Sequence, residues 1–159
     1  FPDYMLKLCA AAHIITPNIT EACLMLGCEY KEPPYDENYI KTLLGGLYLK
    51  THADIVLTGV SFDERKIGAA VFDGKTVSYV FAERIPVAYH GTGDIFAAVV
   101  TGGLMRGMTL EQSSALAVEF VLACIDATAC DPHAGWYGVE FEKALPLLCR
   151  RTQELTKSE

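Results

Sequence analysis

The chain has 159 residues, 51% of them hydrophobic, and a formal net charge of −7 at pH 7. This length and composition fit one globular domain with a hydrophobic core, so we predict a single domain over residues 1–159. The acidic balance and the lack of a Lys/Arg cluster exclude a typical nucleic-acid-binding protein. No apolar run approaches the length of a membrane span, so no membrane association is expected.

The amino terminus and the cysteines are typical of a cytoplasmic protein. Residues 1–4 show no signal-peptide pattern of charge, apolar stretch and cleavage site. The six cysteines form no C-x-x-C pair and have no histidine partner at metal-binding spacing. We therefore expect reduced thiols in a cytoplasmic protein, with disulfides as the less favoured alternative.

The beginning of the chain alternates helix and strand signals. Residues 3–12 predict a short helix, and the β-branched run 14–16, which Pro17 stops, predicts a buried strand. Asn18 and Glu21 then have the spacing of a capping box, in which each side chain accepts a hydrogen bond from the other residue's backbone N–H group. This pattern predicts the start of a second helix.

The middle of the chain predicts one more helix, a strand and a hairpin. Asp36 is the expected N-cap of a helix whose apolar residues recur at i, i+3, i+4 and i+7. Residues 54–59 predict a second buried strand. Residues 67–72 and 76–82 flank Asp73-Gly74, which is a strong signal for a β-hairpin.

The last third of the chain is predicted to be helical. Residues 92–106 form a mostly apolar helical pattern, and Thr109 with Gln112 predicts a capping box for the next helix. Because both helices are so apolar, we expect both to be largely buried. An amphipathic helix is predicted over 139–150. Its inward-facing residues are expected to be Phe141, Leu145 and Leu148. The alternation of helices and strands predicts a layered α/β domain with an inserted hairpin.

Three polar motifs fall where predicted strands end or where a helix begins. They are Thr16-Pro17-Asn18 with Glu21, Thr58-Gly59, and Gly91-Thr92-Gly93-Asp94. Ligands of α/β sheets gather at the carboxyl ends of the strands. The coincidence of the three motifs therefore predicts one functional site.

The glycine-rich motif at 91–94 has two interpretations. A glycine-rich turn that opens a helix leaves backbone N–H groups free to bind an anion, and the helix dipole adds positive charge there. Asp94 beside such an anion site is placed to accept the proton of an attacking hydroxyl group. The alternative is an ordinary loop in which Asp94 only stabilises the helix start.

These motifs resemble those of the ribokinase-like superfamily, in particular its pyridoxal/pyridoxamine kinase branch. The resemblance is carried by residues 15–21, 56–59, 90–94 and 136–142. It extends over essentially the whole chain but corresponds only to the C-terminal half of such an enzyme, so we expect a longer parent protein. The resemblance implies the C-terminal half of a three-layer α/β/α fold, with a mostly parallel sheet and an inserted hairpin.

The resemblance also implies an ATP- and Mg²⁺-dependent kinase that acts on a small-molecule B6 vitamer. Asp94 would be the catalytic base that deprotonates the 5′-hydroxymethyl group of the vitamer. The backbone N–H groups of Gly91, Thr92 and Gly93 would form the anion hole for the charge on the transferred phosphoryl group. The full-length parent is expected to be a homodimer.

Four residues of the first two motifs would hold the nucleotide and the metal ion by the same resemblance. Thr58 and Gly59 would contact the ATP phosphates, and Asn18, also a cofactor-binding residue, would lie near Glu21. Glu21 would help to hold Mg²⁺ directly or through water, and a plain capping box explains its spacing equally well.

Two other functions stay open. Hydroxymethylpyrimidine kinases have a similar pattern but usually carry Cys where Asp94 stands, so a kinase for hydroxymethylpyrimidine or another small alcohol is the alternative enzyme. The second alternative belongs to another class, since the chain could be a module that binds nucleotide and turns nothing over. Trp136 and Tyr137 are expected to be packing residues rather than ligand contacts.

Overall fold

The structure is a computed structural model that describes residues 2–87, 89–135 and 138–156. The chain divides into two compact units, residues 1–83 and residues 84–159. The single domain over residues 1–159 stays a prediction. Trp136 and Tyr137 lie outside the described residues.

The first unit consists of three helices and a four-stranded sheet. In chain order the elements are α1 (Pro2–Cys9), β1 (Ile14–Ile15), α2 (Ile19–Leu26), α3 (Glu37–Thr51), β2 (Asp54–Val60), β3 (Lys66–Phe72) and β4 (Val77–Glu83). The strands lie in the order β1-β2-β3-β4. Every element of this unit was predicted from the sequence, with ends that differ by a few residues.

The prediction of a mostly parallel sheet is wrong for the described residues. β1 and β2 are parallel, whereas β2 pairs antiparallel with β3 and β3 pairs antiparallel with β4. A parallel pair needs a crossover connection, and α2 and α3 supply the single one, between β1 and β2. The hairpin then continues the same sheet in the antiparallel sense, so it is part of the sheet and not an insertion beside it.

The core of the first unit is formed by one face of α3 and by the buried strand β2. Both elements supply fully buried aliphatic side chains, namely Ile40, Leu43, Leu44, Leu47, Ile55, Val56 and Leu57. The four residues of α3 are those that the i, i+3, i+4, i+7 pattern predicts to share one face. Asp36 caps this helix as expected, because its Oδ1 accepts a hydrogen bond from the Tyr39 N–H at 2.9 Å.

The β3–β4 hairpin is closed by Asp73 and Gly74. Asp73 Oδ1 accepts hydrogen bonds from the backbone N–H groups of Lys75 at 3.0 Å and Thr76 at 2.7 Å. Gly74 has φ 83°, and a Cβ at this position would lie 2.5 Å from the Tyr48 hydroxyl. Glycine is therefore required both by the backbone conformation and by the tyrosine that packs against the turn.

The second unit is helical in its described part. It contains α4 (Thr92–Met105), α5 (Leu110–Ala129), a 3₁₀ helix (Phe141–Ala144) and α6 (Leu145–Thr156). α4 and α5 pack closely at Gly103, where an added Cβ would lie 2.6 Å from the Ser113 hydroxyl oxygen. The capping box at the start of α5 is confirmed, because Thr109 Oγ1 accepts from the Gln112 N–H and Gln112 Oε1 accepts from the Thr109 N–H.

α5 also corrects the expectation that no apolar segment reaches the length of a membrane span. It has 20 residues, and an 18-residue window within it has a mean hydropathy of 1.2, which meets the requirement by length and composition only. The core helix of a soluble protein meets the same requirement, and Leu116, Ala117, Phe120 and Cys124 of α5 are buried within the protein. The property therefore does not by itself indicate a span.

The end of the chain differs from the single helix predicted over 139–150. The segment begins as a 3₁₀ helix, and α6 starts only at Leu145, one residue before Pro146. Pro146 has no N–H group, so it suits the first turn of a helix and not its interior. Phe141 and Leu145 line an apolar cleft together with Phe120 of α5, but they stay 40% and 39% exposed, so they are less buried than predicted.

The cysteines are free thiols, as expected. Cys23 and Cys124 are buried, Cys9 is half-buried, and Cys28, Cys130 and Cys149 are exposed.

Candidate functional site

The N-terminus of α4 is a glycine turn without a side-chain cap. Gly91 is the N-cap residue with φ 82°, a conformation that glycine adopts without strain, and no side chain of the described residues hydrogen-bonds to the helix start. Ile95 N–H donates to the Gly91 carbonyl at 3.2 Å, which is the first bond of the helix. The N–H groups of Thr92, Gly93 and Asp94 precede that bond and have no intrahelical partner. This end of α4 can therefore bind an anion.

The space in front of this turn is open. A Cβ added at Gly91 or at Gly93 would meet no atom within 4 Å. Glycine is thus needed at Gly91 for its backbone conformation, whereas a bare Gly93 leaves room for a ligand to approach the backbone. Thr92 folds back on the turn, since its hydroxyl donates to the Tyr89 carbonyl at 3.5 Å.

Asp94 lies in the first turn of α4 with an exposed side chain. No hydrogen bond or ion pair within the described part of the chain occupies its carboxylate. The residue stands at the rim of a cleft of about 670 Å³ whose walls are mostly apolar, formed in part by Ile95, Val99, Phe120 and Leu148. An uncommitted carboxylate next to free N–H groups can accept a proton while the N–H groups hold a negative charge.

The N-terminus of α2 in the first unit is closed by a reciprocal capping box. Asn18 Oδ1 accepts from the Glu21 N–H at 2.8 Å, and Glu21 Oε2 accepts from the Asn18 N–H at 2.9 Å. The structural interpretation of this spacing is therefore confirmed. Glu21 is exposed, and its Oε1 accepts no hydrogen bond from the described residues. The carboxylate can cap the helix and still offer one oxygen to another group.

Thr58 joins the end of β2 to the start of α2. Its N–H donates to the Pro17 carbonyl at 2.8 Å and its hydroxyl donates to the same carbonyl at 3.4 Å. Asn18 and Thr58 form an isolated parallel bridge, in which Thr58 belongs to β2 and Asn18 lies beyond the end of β1. The structure thus brings Asn18, Glu21 and Thr58 together, and the sequence analysis missed the Pro17 carbonyl that links them. The signal available in the sequence was a proline directly before a cap residue.

Gly59 follows Thr58 in a left-handed conformation with φ 78°. The pairing of β2 with β3 shifts its register between Thr58 and Val60, which marks a β-bulge at this glycine. Gly59 is exposed, and a Cβ there would meet no atom within 4 Å. The bulge leaves the backbone of Gly59 accessible to a ligand.

The donor set fits a metal ion that the protein binds through few ligands. Among the described residues, no group of three His, Cys, Asp or Glu side chains could hold a metal ion alone. Mg²⁺ usually keeps several waters and takes one or two carboxylates together with substrate phosphates. A single carboxylate oxygen, such as Glu21 Oε1, matches that mode of binding.

Comparisons with known proteins show which kinase family the chain is similar to. A family model described as phosphomethylpyrimidine kinase matches residues 3–139. A pyridoxine kinase from Bacillus subtilis (strain 168) is 29% identical over 123 residues, which is 75% of this chain and 44% of that protein. A crystal structure of pyridoxal kinase from Lactobacillus plantarum superposes with a TM-score of 0.82 and 31% identity, over 96% of this chain and 55% of that one.

Two further structures extend the comparison to ligand complexes of similar proteins. An ADP complex of a Bacillus subtilis pyridoxal kinase has a TM-score of 0.77 and 25% identity, over 92% of this chain and 54% of that one. A candidate phosphomethylpyrimidine kinase from Bacteroides thetaiotaomicron, in a crystal form with pyridoxal, has a TM-score of 0.83 and 31% identity, over 93% and 53%. The chain therefore spans about half the length of the proteins it matches.

Proposed function

Because the chain belongs to the phosphomethylpyrimidine kinase family, whose relatives include pyridoxal kinases, we propose that it serves in a phosphotransferase acting on B6 vitamers. The proposed reaction moves the γ-phosphoryl group of ATP to the 5′-hydroxymethyl group of pyridoxal, pyridoxamine or pyridoxine. The observation that carries the proposal is the uncapped N-terminus of α4 with the free carboxylate of Asp94 in its first turn.

Asp94 is proposed as the catalytic base. It accepts the proton of the vitamer hydroxyl as that oxygen forms its bond to the γ-phosphorus, and the bond between this phosphorus and the ADP oxygen breaks. Negative charge on the transferred group is then held by the backbone N–H groups of Gly91, Thr92 and Gly93, of which those of Thr92 and Gly93 have no intrahelical partner. An exposed carboxylate without a protein partner suits this role, because a salt bridge would compete for the proton.

Four residues of the first unit are proposed to bind the nucleotide and the metal ion. Asn18, Thr58 and Gly59 would contact ATP phosphates, which the open bulge at Gly59 and the hydrogen-bonding side chains favour. Glu21 would hold Mg²⁺ through Oε1 or through a bound water, while its Oε2 keeps the helix cap. Bound Mg²⁺ would neutralise phosphate charge.

The test is ATP-dependent phosphorylation of pyridoxal and pyridoxamine by the purified protein and its Asp94→Asn variant. The matched control is Glu111→Gln, because Glu111 is also an exposed carboxylate in the first turn of an apolar helix. Both substitutions remove a charge that favours the helix dipole, so both are expected to cost a few tenths of a kcal/mol of stability, up to about 1 kcal/mol.

If Asp94 is the base, its substitution lowers kcat by about 10²-fold or more while nucleotide binding is retained, and Glu111→Gln keeps the wild-type rate. Equal rates for the two variants would contradict the role of Asp94. Nucleotide binding without turnover by the wild-type protein would favour the binding module instead of the kinase.

A second substrate is favoured by a specific observation. The matched family model is described as phosphomethylpyrimidine kinase, and so is the similar Bacteroides thetaiotaomicron protein. Hydroxymethylpyrimidine carries the same kind of primary alcohol, so the proposed chemistry applies to it unchanged. Comparing kcat/KM for hydroxymethylpyrimidine and pyridoxal in one preparation decides between them. Cytoplasmic location and a homodimer remain predictions.

A further inference from the structure

The C-terminal end of α2 brings two cysteines together. Gly27, with φ 67°, ends the helix in the left-handed conformation, and the Cys28 N–H donates to the Cys23 carbonyl at 3.1 Å. This backbone bond, which spans six residues, is the mark of a Schellman motif. Side chains at its two ends, which are Cys23 and Cys28 here, commonly contact each other.

The two thiols differ in exposure. Cys23 is 3% exposed, its Sγ lies 3.1 Å from the Tyr39 hydroxyl, and it donates weakly to the Glu29 carbonyl at 3.8 Å. Cys28 is exposed to solvent. Partial burial raises the pKa of the Cys28 thiol, and the nearby Cys23 thiol raises it further.

We propose that Cys23 and Cys28 form a dithiol modification site that small disulfides convert into an intramolecular disulfide. Cys28 is the accessible sulfur that reacts first, and Cys23 is the buried sulfur that resolves the intermediate. This order follows from access, because an external disulfide reaches Cys28 and not Cys23.

The reaction consumes one small disulfide, such as oxidised glutathione. Cys28 loses its proton to solvent, and its sulfur attacks one sulfur of the external disulfide, whose S–S bond breaks and releases one glutathione thiolate. The Cys23 sulfur, after losing its own proton, attacks the Cys28 sulfur and releases the second glutathione. Two protein thiols are oxidised, and one disulfide is reduced to two thiols.

Tyr39 is well placed to assist the second step. Its hydroxyl lies against the Cys23 sulfur and also donates to the Glu29 carbonyl at 3.4 Å. As the Cys23 thiolate forms, the hydroxyl can turn its proton toward the sulfur. When Cys23 then bonds to Cys28, Tyr39 keeps the Glu29 carbonyl as a partner, so oxidation leaves no buried hydroxyl unsatisfied.

The test is to incubate the full chain with oxidised glutathione and to map its cysteines by non-reducing mass spectrometry. We expect a peptide 8–31 that lacks two hydrogen atoms. Fragmentation should place the cross-link between Cys23 and Cys28, with Cys9 still open to alkylation. A cross-link to Cys9, or glutathione retained on Cys28 of the wild-type protein, would overturn the proposal.

Two variants and one control sharpen the result. Cys23→Ser cannot resolve the intermediate, so Cys28 should accumulate as a stable mixed disulfide with glutathione. Cys28→Ser should leave Cys23 reduced. Cys130→Ser, which removes another exposed thiol, should leave the cross-link unchanged. If glutathione accumulated on Cys28 to the same level with and without Cys23, the two cysteines would be independent thiols.

Discussion

Substituting Glu21 by glutamine separates the two roles that this carboxylate can have. Glutamine keeps a side-chain oxygen that can accept the Asn18 N–H hydrogen bond, but it has no charge for a metal ion. The chain contains a precedent, since Gln112 Oε1 accepts from the Thr109 N–H at 2.9 Å, the distance found between Glu21 Oε2 and the Asn18 N–H. Glu21→Gln therefore preserves the cap and removes the proposed metal ligand.

The expected cost in stability follows from these contacts. Glu21→Gln loses only a favourable charge in the first turn of α2, which is about 0.5 kcal/mol at an exposed site. Glu21→Ala also loses the hydrogen bond to the Asn18 N–H, which adds about 1 kcal/mol and gives a total of about 1.5 kcal/mol. If Glu21 holds Mg²⁺ directly or through water, both variants raise the Mg²⁺ concentration that half-maximal ATP binding requires by about tenfold or more.

Two measurements on the same preparations decide whether Glu21 holds Mg²⁺ or only caps α2. Urea unfolding gives the free energies of unfolding, and calorimetric titration of ATP at several Mg²⁺ concentrations gives the metal dependence without requiring turnover. Gln112→Ala is the control, because it removes a capping box far along the chain from the proposed metal ligand. A Glu21→Gln variant with wild-type Mg²⁺ dependence would refute the metal role and leave Glu21 as a cap only.

Two other predictions concern packing and charge. Gly68→Ala should destabilise the protein by about 3 kcal/mol, because its Cβ would lie 1.8 Å from the Val80 backbone oxygen of the paired strand. Gly45 lies in open space within α3, so Gly45→Ala should instead stabilise the protein by about 0.5–1 kcal/mol. Urea unfolding measures both changes. Equal effects of the two substitutions would contradict the contact. The Lys143 ammonium, with help from the His133 N–H, lowers the pKa of Asp131 in the folded protein. The stability that Asp131 contributes is therefore present above pH ~4, and it is lost as the pH falls through the lowered pKa. NMR titration should find this pKa below its ordinary value and raised in Lys143→Met, and an unchanged pKa in the variant would argue against the ion pair.

The helices and strands were predictable where the local signal and the packing agree. The α3 pattern from Ile40 to Leu47 gave the correct buried face, and the pairs Asn18/Glu21 and Thr109/Gln112 gave the correct helix starts. Capping boxes are predictable because both partners lie within four residues of each other. The direction of the strands in the sheet was not predictable, since it depends on contacts between distant segments such as Ile55 and Phe72.

The end of the chain shows why burial is harder to predict than helix formation. Phe141, Leu145 and Leu148 have the spacing of one helix face, but Phe141 belongs to a 3₁₀ helix, in which each residue turns farther about the axis than in an α-helix. All three residues line one apolar cleft, but Phe141 and Leu145 stay 40% and 39% exposed there. Pro146 was the signal for the change, because its ring favours a helix start at this point.

The site could be predicted in its residue types, but the difference between its two helix starts needed the structure. Glycines and one aspartate suggest an anion site at the start of α4, and Asn18 with Glu21 suggests a polar site at the start of α2. The sequence favours the two sites equally. In the structure the α2 start is closed by its own side chains, whereas the N–H groups after Gly91 and the Asp94 carboxylate have no such partners. A helix start whose N–H groups are bonded to its own side chains needs no ligand for stability. The free groups of α4 are therefore the stronger argument for phosphoryl transfer. Glu21 can offer at most one oxygen to a ligand.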